Sequence, residues 1–144
     1  GSAKMQPIIL DSNILVKLIV NEPGSSEVRN HIEALLEGGF NLSTIDLALP
    51  EALNALWKHA KLSGALDENE TLNAAEDLIQ IYSRLNIIES KMLYREALEM
   101  ALHLNITVYD ALYIAAARKS GAKLYTADRK LKDAASRYTI ILEP

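Results

Sequence analysis

The sequence of 144 residues contains no cysteine, and this absence excludes three kinds of chemistry at once. Disulfide bonds, thiolate metal sites and cysteine nucleophiles all need a residue that the chain does not have. The fold must therefore be stabilised by packing alone, and we expect a cytoplasmic protein.

Long apolar segments and leader-like segments are also missing. No apolar run approaches the roughly 20 residues that a transmembrane helix needs, and no charged segment followed by an apolar one opens the chain. We therefore expect no membrane partner. Internal repeats, low-complexity stretches and linkers are absent too. The length predicts one domain over residues 6–144. Residues 1–5 precede it: Gly1 and Ser2 resemble a tag remnant, and Met5 a native start.

Charge is unevenly distributed along the chain, whose net charge is −4. Residues 67–77 are acidic, whereas seven basic residues stand against two acidic ones between Arg118 and Arg137. The basic side chains could simply solvate helix faces, or they could steer a phosphate backbone toward a nearby site. The acidic total argues against a protein that coats nucleic acid indiscriminately.

Short apolar runs alternate with amphipathic segments. Residues 7–10 are typical of a buried central strand, and further strands are predicted at 40–43, 86–88, 123–126 and 139–142. Helices are predicted between them, at 12–20, 25–37, 47–62, 67–82, 92–104, 110–120 and 129–135. The alternation predicts an α/β fold with a central, mostly parallel sheet of four or five strands and helices on both faces.

Four acidic residues stand where an apolar run ends or a helix begins, namely Asp11, Glu51, Asp110 and Asp128. In an open parallel sheet, the carboxyl ends of the strands and the first turns of adjoining helices meet at one crevice. Carboxylates gathered there repel one another unless some are protonated or a hard cation holds them. We therefore predict a site for Mg²⁺ or Mn²⁺.

Each of these acidic residues also has an ordinary structural interpretation. Asp11, Asp110 and Asp128 could be helix caps, because aspartate is a favoured N-cap residue. Glu51 could be a surface residue stabilised by the helix dipole. A covalent nucleophile is not evident, since Ser12 has no adjacent base and the three histidines show no ligand or triad spacing.

Four segments together resemble the successive motifs of PIN domains, in particular of the VapC-type toxin ribonucleases. They are Asp11-Ser12-Asn13, Pro50-Glu51-Ala52-Leu53-Asn54, Tyr109-Asp110-Ala111-Leu112-Tyr113 and Thr126-Ala127-Asp128-Arg129-Lys130-Leu131. The match in order and spacing extends over nearly the whole of residues 6–142. It implies a PIN-like three-layer α/β/α sandwich and a metal-dependent endoribonuclease. The family's acidic positions fall on Asp11, Glu51, Asp110 and Asp128, and its supporting polar positions on Ser12, Asn13 and Thr126.

A metal-activated water is the attacking group that this resemblance and the residue types favour. Asp11, with Asp110 or Asp128, would hold one cation. Glu51 would bind through water or help a second cation, giving one or two ions per site. Thr126 would orient carboxylates by hydrogen bonds, as would Ser12, unless both are ordinary helix caps.

The partners expected from the resemblance are RNA, a second copy of the chain and a cognate VapB-type antitoxin. Candidate RNA contacts are Lys17, Lys58, Arg118, Arg129 and Lys130, with ordinary exposed side chains as the alternative. Candidate protein contacts are Trp57, Tyr82 and Tyr94.

Two other functions stay open at this point. The first is a non-catalytic PIN-like module that binds RNA or protein, which loss of acidic residues would signal. The second is another α/β phosphoryl-transfer enzyme. A dehalogenase-like phosphatase needs a second aspartate where Asn13 stands, and a receiver domain needs a paired acid and a late lysine that we cannot place.

Overall fold

A parallel sheet is the centre of the fold. The computed structural model describes residues 6–144, so the predicted tag remnant lies outside the described residues. Five strands form within this range: β1 (Pro7–Leu10), β2 (Asn41–Ile45), β3 (Asn86–Ile88), β4 (Lys123–Tyr125) and β5 (Ile141–Leu142). Their order is β3-β2-β1-β4-β5, and every neighbouring pair is parallel. The predicted fold class is confirmed.

Helices connect and cover the strands. In the described part of the chain they are α1 (Ser12–Ile19), α2 (Ser25–Glu37), α3 (Ala48–Lys61), α4 (Glu68–Tyr82), α5 (Tyr94–Leu104), α6 (Val108–Ser120) and α7 (Arg129–Ala135). A 3-10 turn at Ser90–Met92 precedes α5. None of these helices has the length and apolar character to cross a membrane.

The apolar run of β1 places this strand in the middle of the sheet. β1 lies between β2 and β4, with Ile9 opposite Ser43 on one side and Leu124 on the other. Ile8, Ile9 and Leu10 are completely buried. A strand without alternating polar residues can be stable only where both faces are covered, which is why this segment occupies the centre.

Small side chains allow α6 to lie close to the sheet. All seven residues from Ala111 to Ala117 are buried, and the helix contacts β1, β2 and β4. Its C-terminus is closed by Gly121, whose φ of +62° lies in the left-handed region that glycine adopts easily. At the other end, α6 begins at Val108, two residues before the predicted start, because the Thr107 side chain caps it. This start places Asp110 in the first turn of the helix.

Candidate active site

A cleft of about 250 Å³ lies at the carboxyl edge of the sheet. It is lined by all four predicted acidic residues and by two predicted polar ones: Asp11, Glu51, Asp110, Asp128, Ser12 and Asn13. Asp11 joins β1 to α1, and Asp128 precedes α7 just after β4. Because β1 and β4 are neighbours, their carboxyl ends bring these two side chains to one edge. The structure thus gathers the four acids, while their catalytic role stays a prediction.

Asp11 is the most deeply buried of the four acids, with 2% of its surface exposed. Its Oδ1 accepts a hydrogen bond from the Ile14 backbone N–H at 3.0 Å, which caps α1. Its second oxygen accepts from the Thr126 hydroxyl. The capping interpretation is therefore correct for Asp11, and the same carboxylate also lines the cleft.

The surroundings of Asp11 make its ionised form unfavourable. Burial raises the pKa of Asp11 from 3.8 to about 7. The hydrogen bonds from Thr126 and Ile14 oppose this rise, and the negative charges of Asp128 and Glu51 reinforce it. A positive charge placed in the cleft would favour ionisation of Asp11.

Thr126 connects the acids that follow the two adjacent strands. Its hydroxyl donates to Asp11 and accepts from the Asp128 backbone N–H at 2.9 Å. Asp128 in turn caps α7, since its Oδ1 accepts from the Lys130 backbone N–H at 2.9 Å. Thr126 has the orienting contacts that were predicted for it, and it caps no helix within residues 6–144.

Asp110 is not a helix cap. Thr107 caps α6, and the Asp110 backbone N–H donates to the Thr107 hydroxyl at 3.2 Å. The carboxylate, in the first turn of α6, is free of that task and is half-buried in the cleft. Burial and, to a smaller extent, the charge of Asp128 raise the pKa of Asp110, whereas Lys130 lowers it.

Glu51 is half-buried and bonded, not a free surface residue. It lies in the first turn of α3, and its Oε1 accepts a hydrogen bond from the Tyr113 phenol at 2.7 Å. Burial, then the charge of Glu51, raise the pKa of Tyr113 far above its ordinary value, so the hydroxyl remains a donor. No role was predicted for Tyr113. Its spacing of three residues from Asp110, which puts both side chains on one helix face, was the available signal.

In the described part of the chain, no basic side chain forms an ion pair with this group of acids. Within residues 6–144, every ion pair closer than 4.0 Å is made by other acidic residues. In the same range, no three His, Asp or Glu side chains form a compact set of metal ligands. The cleft is therefore not a ready-made protein cage. It still suits Mg²⁺, which keeps several waters and usually takes one or two carboxylates together with substrate phosphate.

Three of the predicted RNA contacts lie at or beside the cleft. Lys58 lines it, two turns along α3 from Glu51, and is exposed. Arg129 and Lys130 are exposed in the first turn of α7, directly after Asp128. These side chains place exposed positive charge beside the acidic cleft.

The other two predicted contacts are directed elsewhere. Lys17 follows Asp11 by six residues, about 1.7 helical turns, and its Nζ lies 2.8 Å from Glu22. Arg118 lies eight residues along α6 from Asp110, about 12 Å away, and pairs with Glu96 at 3.7 Å. The structure does not bring Lys17 or Arg118 to the cleft.

Known proteins with the same organisation match nearly the whole chain. The PIN domain family matches residues 8–136. Ribonuclease VapC3 of Pyrobaculum aerophilum is 36% identical over 126 residues, covering 88% of this chain and 92% of that protein. Exonuclease VapC9 of the same organism is 32% identical over 116 residues, covering 81% and 84%. The crystal structure of VapBC2 from Rickettsia felis, bound to a DNA fragment from its promoter, has a TM-score of 0.67 at 20% identity, covering 96% and 99%. The predicted resemblance is confirmed.

We expect Asp11→Asn to stabilise the metal-free protein at high pH. The pKa of Asp11 is higher in the folded chain than the ordinary 3.8, so the stability that its neutral form contributes is fully present below pH 4 and is lost as the pH rises through about 7. Asparagine carries no charge to bury. The advantage of the variant should grow by about 1.4 kcal/mol per pH unit across that window, as measured by urea unfolding in EDTA.

The matched control for this experiment is Asp133→Asn, which removes an exposed carboxylate from α7. It should show no such growth with pH. An Asp11→Asn variant whose stability runs parallel to that of the wild type from pH 4 to 8 would contradict the burial argument.

Proposed function

Because the chain belongs to the PIN-domain family, with VapC-type proteins among its relatives, we propose that it is a metal-dependent endoribonuclease. The observation that carries the proposal is the cleft, where carboxylates from the starts of four helices meet without a basic partner among the described residues. The relative VapC3 is named a ribonuclease, which supports RNA as the substrate.

Mg²⁺ or Mn²⁺ fits the chemistry of this donor set, because carboxylate oxygens are hard ligands. Asp11, with Asp110 or Asp128, would hold one ion, and Glu51 would bind through water or help to hold a second. When bound, the cation would supply positive charge beside the phosphate and lower the pKa of a water molecule.

The protein's own groups keep the acids in fixed orientations. Asp11 is held at both oxygens, by the Ile14 N–H and by the Thr126 hydroxyl, so its carboxylate has little freedom to rotate. Such preorganised groups need no reorganisation when charge develops during the reaction. Water adds to the phosphorus and the O3′ atom leaves, so the products carry a 5′-phosphate and a 3′-hydroxyl.

We further propose that the protein is a cytoplasmic toxin paired with a VapB-type antitoxin, and that it forms a homodimer. The structurally similar protein from Rickettsia felis is named VapBC2, which supports an antitoxin partner. Exposed apolar side chains supply surfaces for both partners, since large exposed apolar patches mark protein interactions. Tyr94, Leu98 and Leu102 recur every four residues along α5 and are 68%, 50% and 76% exposed.

Of the other two candidate contact residues, Trp57 is exposed and Tyr82 is not. Trp57 lines a groove of about 470 Å³ between α3 and α4, together with Leu53 and Leu72. Tyr82 is half-buried at the end of α4 and offers less surface. The groove at Trp57 is thus a better candidate for protein contact than Tyr82.

We expect Asp128→Asn to lower Mg²⁺-dependent cleavage by at least about a hundredfold while leaving the fold intact. Asparagine caps a helix as well as aspartate does, so α7 should form normally. The substrate is a closed circular RNA, assayed with Mg²⁺ and with EDTA. Only an endonuclease can open a circle, so this substrate also tests the exonuclease activity that the name of VapC9 suggests.

Asp133→Asn is again the matched control, since it removes the same charge from the exposed face of the same helix. It should cleave like the wild type. Full activity of Asp128→Asn would remove the proposed mechanism. Degradation of linear but not circular RNA by the wild type would favour an exonuclease.

We expect Lys58→Ala to weaken RNA binding and to flatten its salt dependence. Each phosphate contact to single-stranded RNA contributes about 0.7 to the slope of log K against log salt concentration. Lys61→Ala is the control, because Lys61 lies on the same helix but borders the α3–α4 groove instead of the cleft. An unchanged slope for Lys58→Ala excludes the contact.

We expect the chain to sediment as a dimer at micromolar concentration, and as a heavier complex when a cognate VapB-type protein is added. Burial of the exposed stripe on α5 supplies the driving force. Leu98→Glu should shift the chain to monomer, whereas Leu36→Glu, at an equally exposed leucine of α2, should not. Sedimentation of the wild type as monomer alone would contradict the homodimer.

A further inference from the structure

One hydroxyl group inside the cleft bonds neither its own helix nor the sheet. Tyr113 is 2% exposed, lines the cleft three residues after Asp110, and donates its phenol O–H to Oε1 of Glu51 at 2.7 Å. Glu51 lies 62 residues away in sequence, on α3. The bond therefore ties α6 to α3 across the acidic group.

This hydrogen bond distinguishes the two carboxylate oxygens of Glu51. Oε1 is occupied by Tyr113, and among residues 6–144 no other side chain or backbone donor is bonded to this carboxylate. Oε2 is the oxygen left for a cation or its water. Without the phenol, the long and half-exposed Glu51 side chain could adopt other rotamers and turn toward solvent.

We propose that Tyr113 is a positioning residue, which holds the Glu51 carboxylate in the orientation that the cation site requires. This inference rests on the proposed function, since it concerns the same site. A plain packing role would need only the ring of Tyr113, so the hydroxyl is the group that distinguishes the two roles.

Tyr113→Phe removes the hydroxyl and keeps the buried ring, so the fold should be preserved. The first measurement is a double-mutant cycle in the metal-free protein, with unfolding free energies for the wild type, Tyr113→Phe, Glu51→Ala and the double variant. If the hydrogen bond forms in solution, the effects of the two substitutions will not add. The effect of Tyr113→Phe should largely disappear once Glu51 is absent.

The second measurement is Mn²⁺ affinity for the same four proteins, followed by the electron paramagnetic resonance signal of the free ion. We expect Tyr113→Phe to bind Mn²⁺ at least roughly tenfold more weakly, as is typical when a group that orients a metal ligand is removed. In the Glu51→Ala background, Tyr113→Phe should cause no further loss. Tyr138→Phe, at a half-buried tyrosine outside the cleft, should bind Mn²⁺ like the wild type.

The outcomes separate this inference from the proposed function. A tenfold loss that depends on Glu51 supports the positioning role. Additive unfolding free energies, or wild-type Mn²⁺ affinity in Tyr113→Phe, would overturn it while leaving the proposed function standing. Failure of the wild type itself to bind Mn²⁺ would overturn the cation site, and the role of Tyr113 would be lost with it.

Discussion

The burial of one carboxylate beside others is the constraint on which this site depends. Asp11 is 2% exposed, and burial raises its pKa to about 7. The residue cannot move to the surface, because it directly follows three completely buried residues of β1 and its carboxylate caps α1. The Ile14 N–H and the Thr126 hydroxyl offset only part of the cost. The fold thus keeps a carboxylate where its ionised form is unfavourable. A cation bound beside it would favour ionisation.

Two of the acids, Asp11 and Asp128, each cap a helix with one oxygen and also line the cleft. A carboxylate fixed at a helix start has little freedom to rotate, so the capping bond also orients the acid. The two interpretations of these residues, which the sequence presents as alternatives, are therefore compatible. Asp110 differs, because Thr107 takes over the capping and leaves its carboxylate free.

Local patterns predicted the elements well and the contacts between them poorly. The strand β1 and the helix α6 could be predicted because segments buried on all sides are composed almost entirely of apolar or small residues. Lys17 was suggested by its closeness in sequence to Asp11, and Arg118 by the basic stretch 118–137. Neither lines the cleft, because their helices carry these side chains away from it. Tyr113 looked like an ordinary core residue in a buried helix, because its hydrogen-bond partner lies 62 residues away.

Strand order explains why no single motif contains the site. Chain order runs outward from β1 through β2 to β3 on one side, and from β4 to β5 on the other, so the direction reverses between β1 and β4. Loops that leave the carboxyl ends of two such strands diverge, and a crevice opens between them. Asp11 and Thr126, 115 residues apart, meet across this reversal. The acids gather there because the topology opens a crevice at that edge, and the polar residues after β1 and β4 then determine what the crevice can bind.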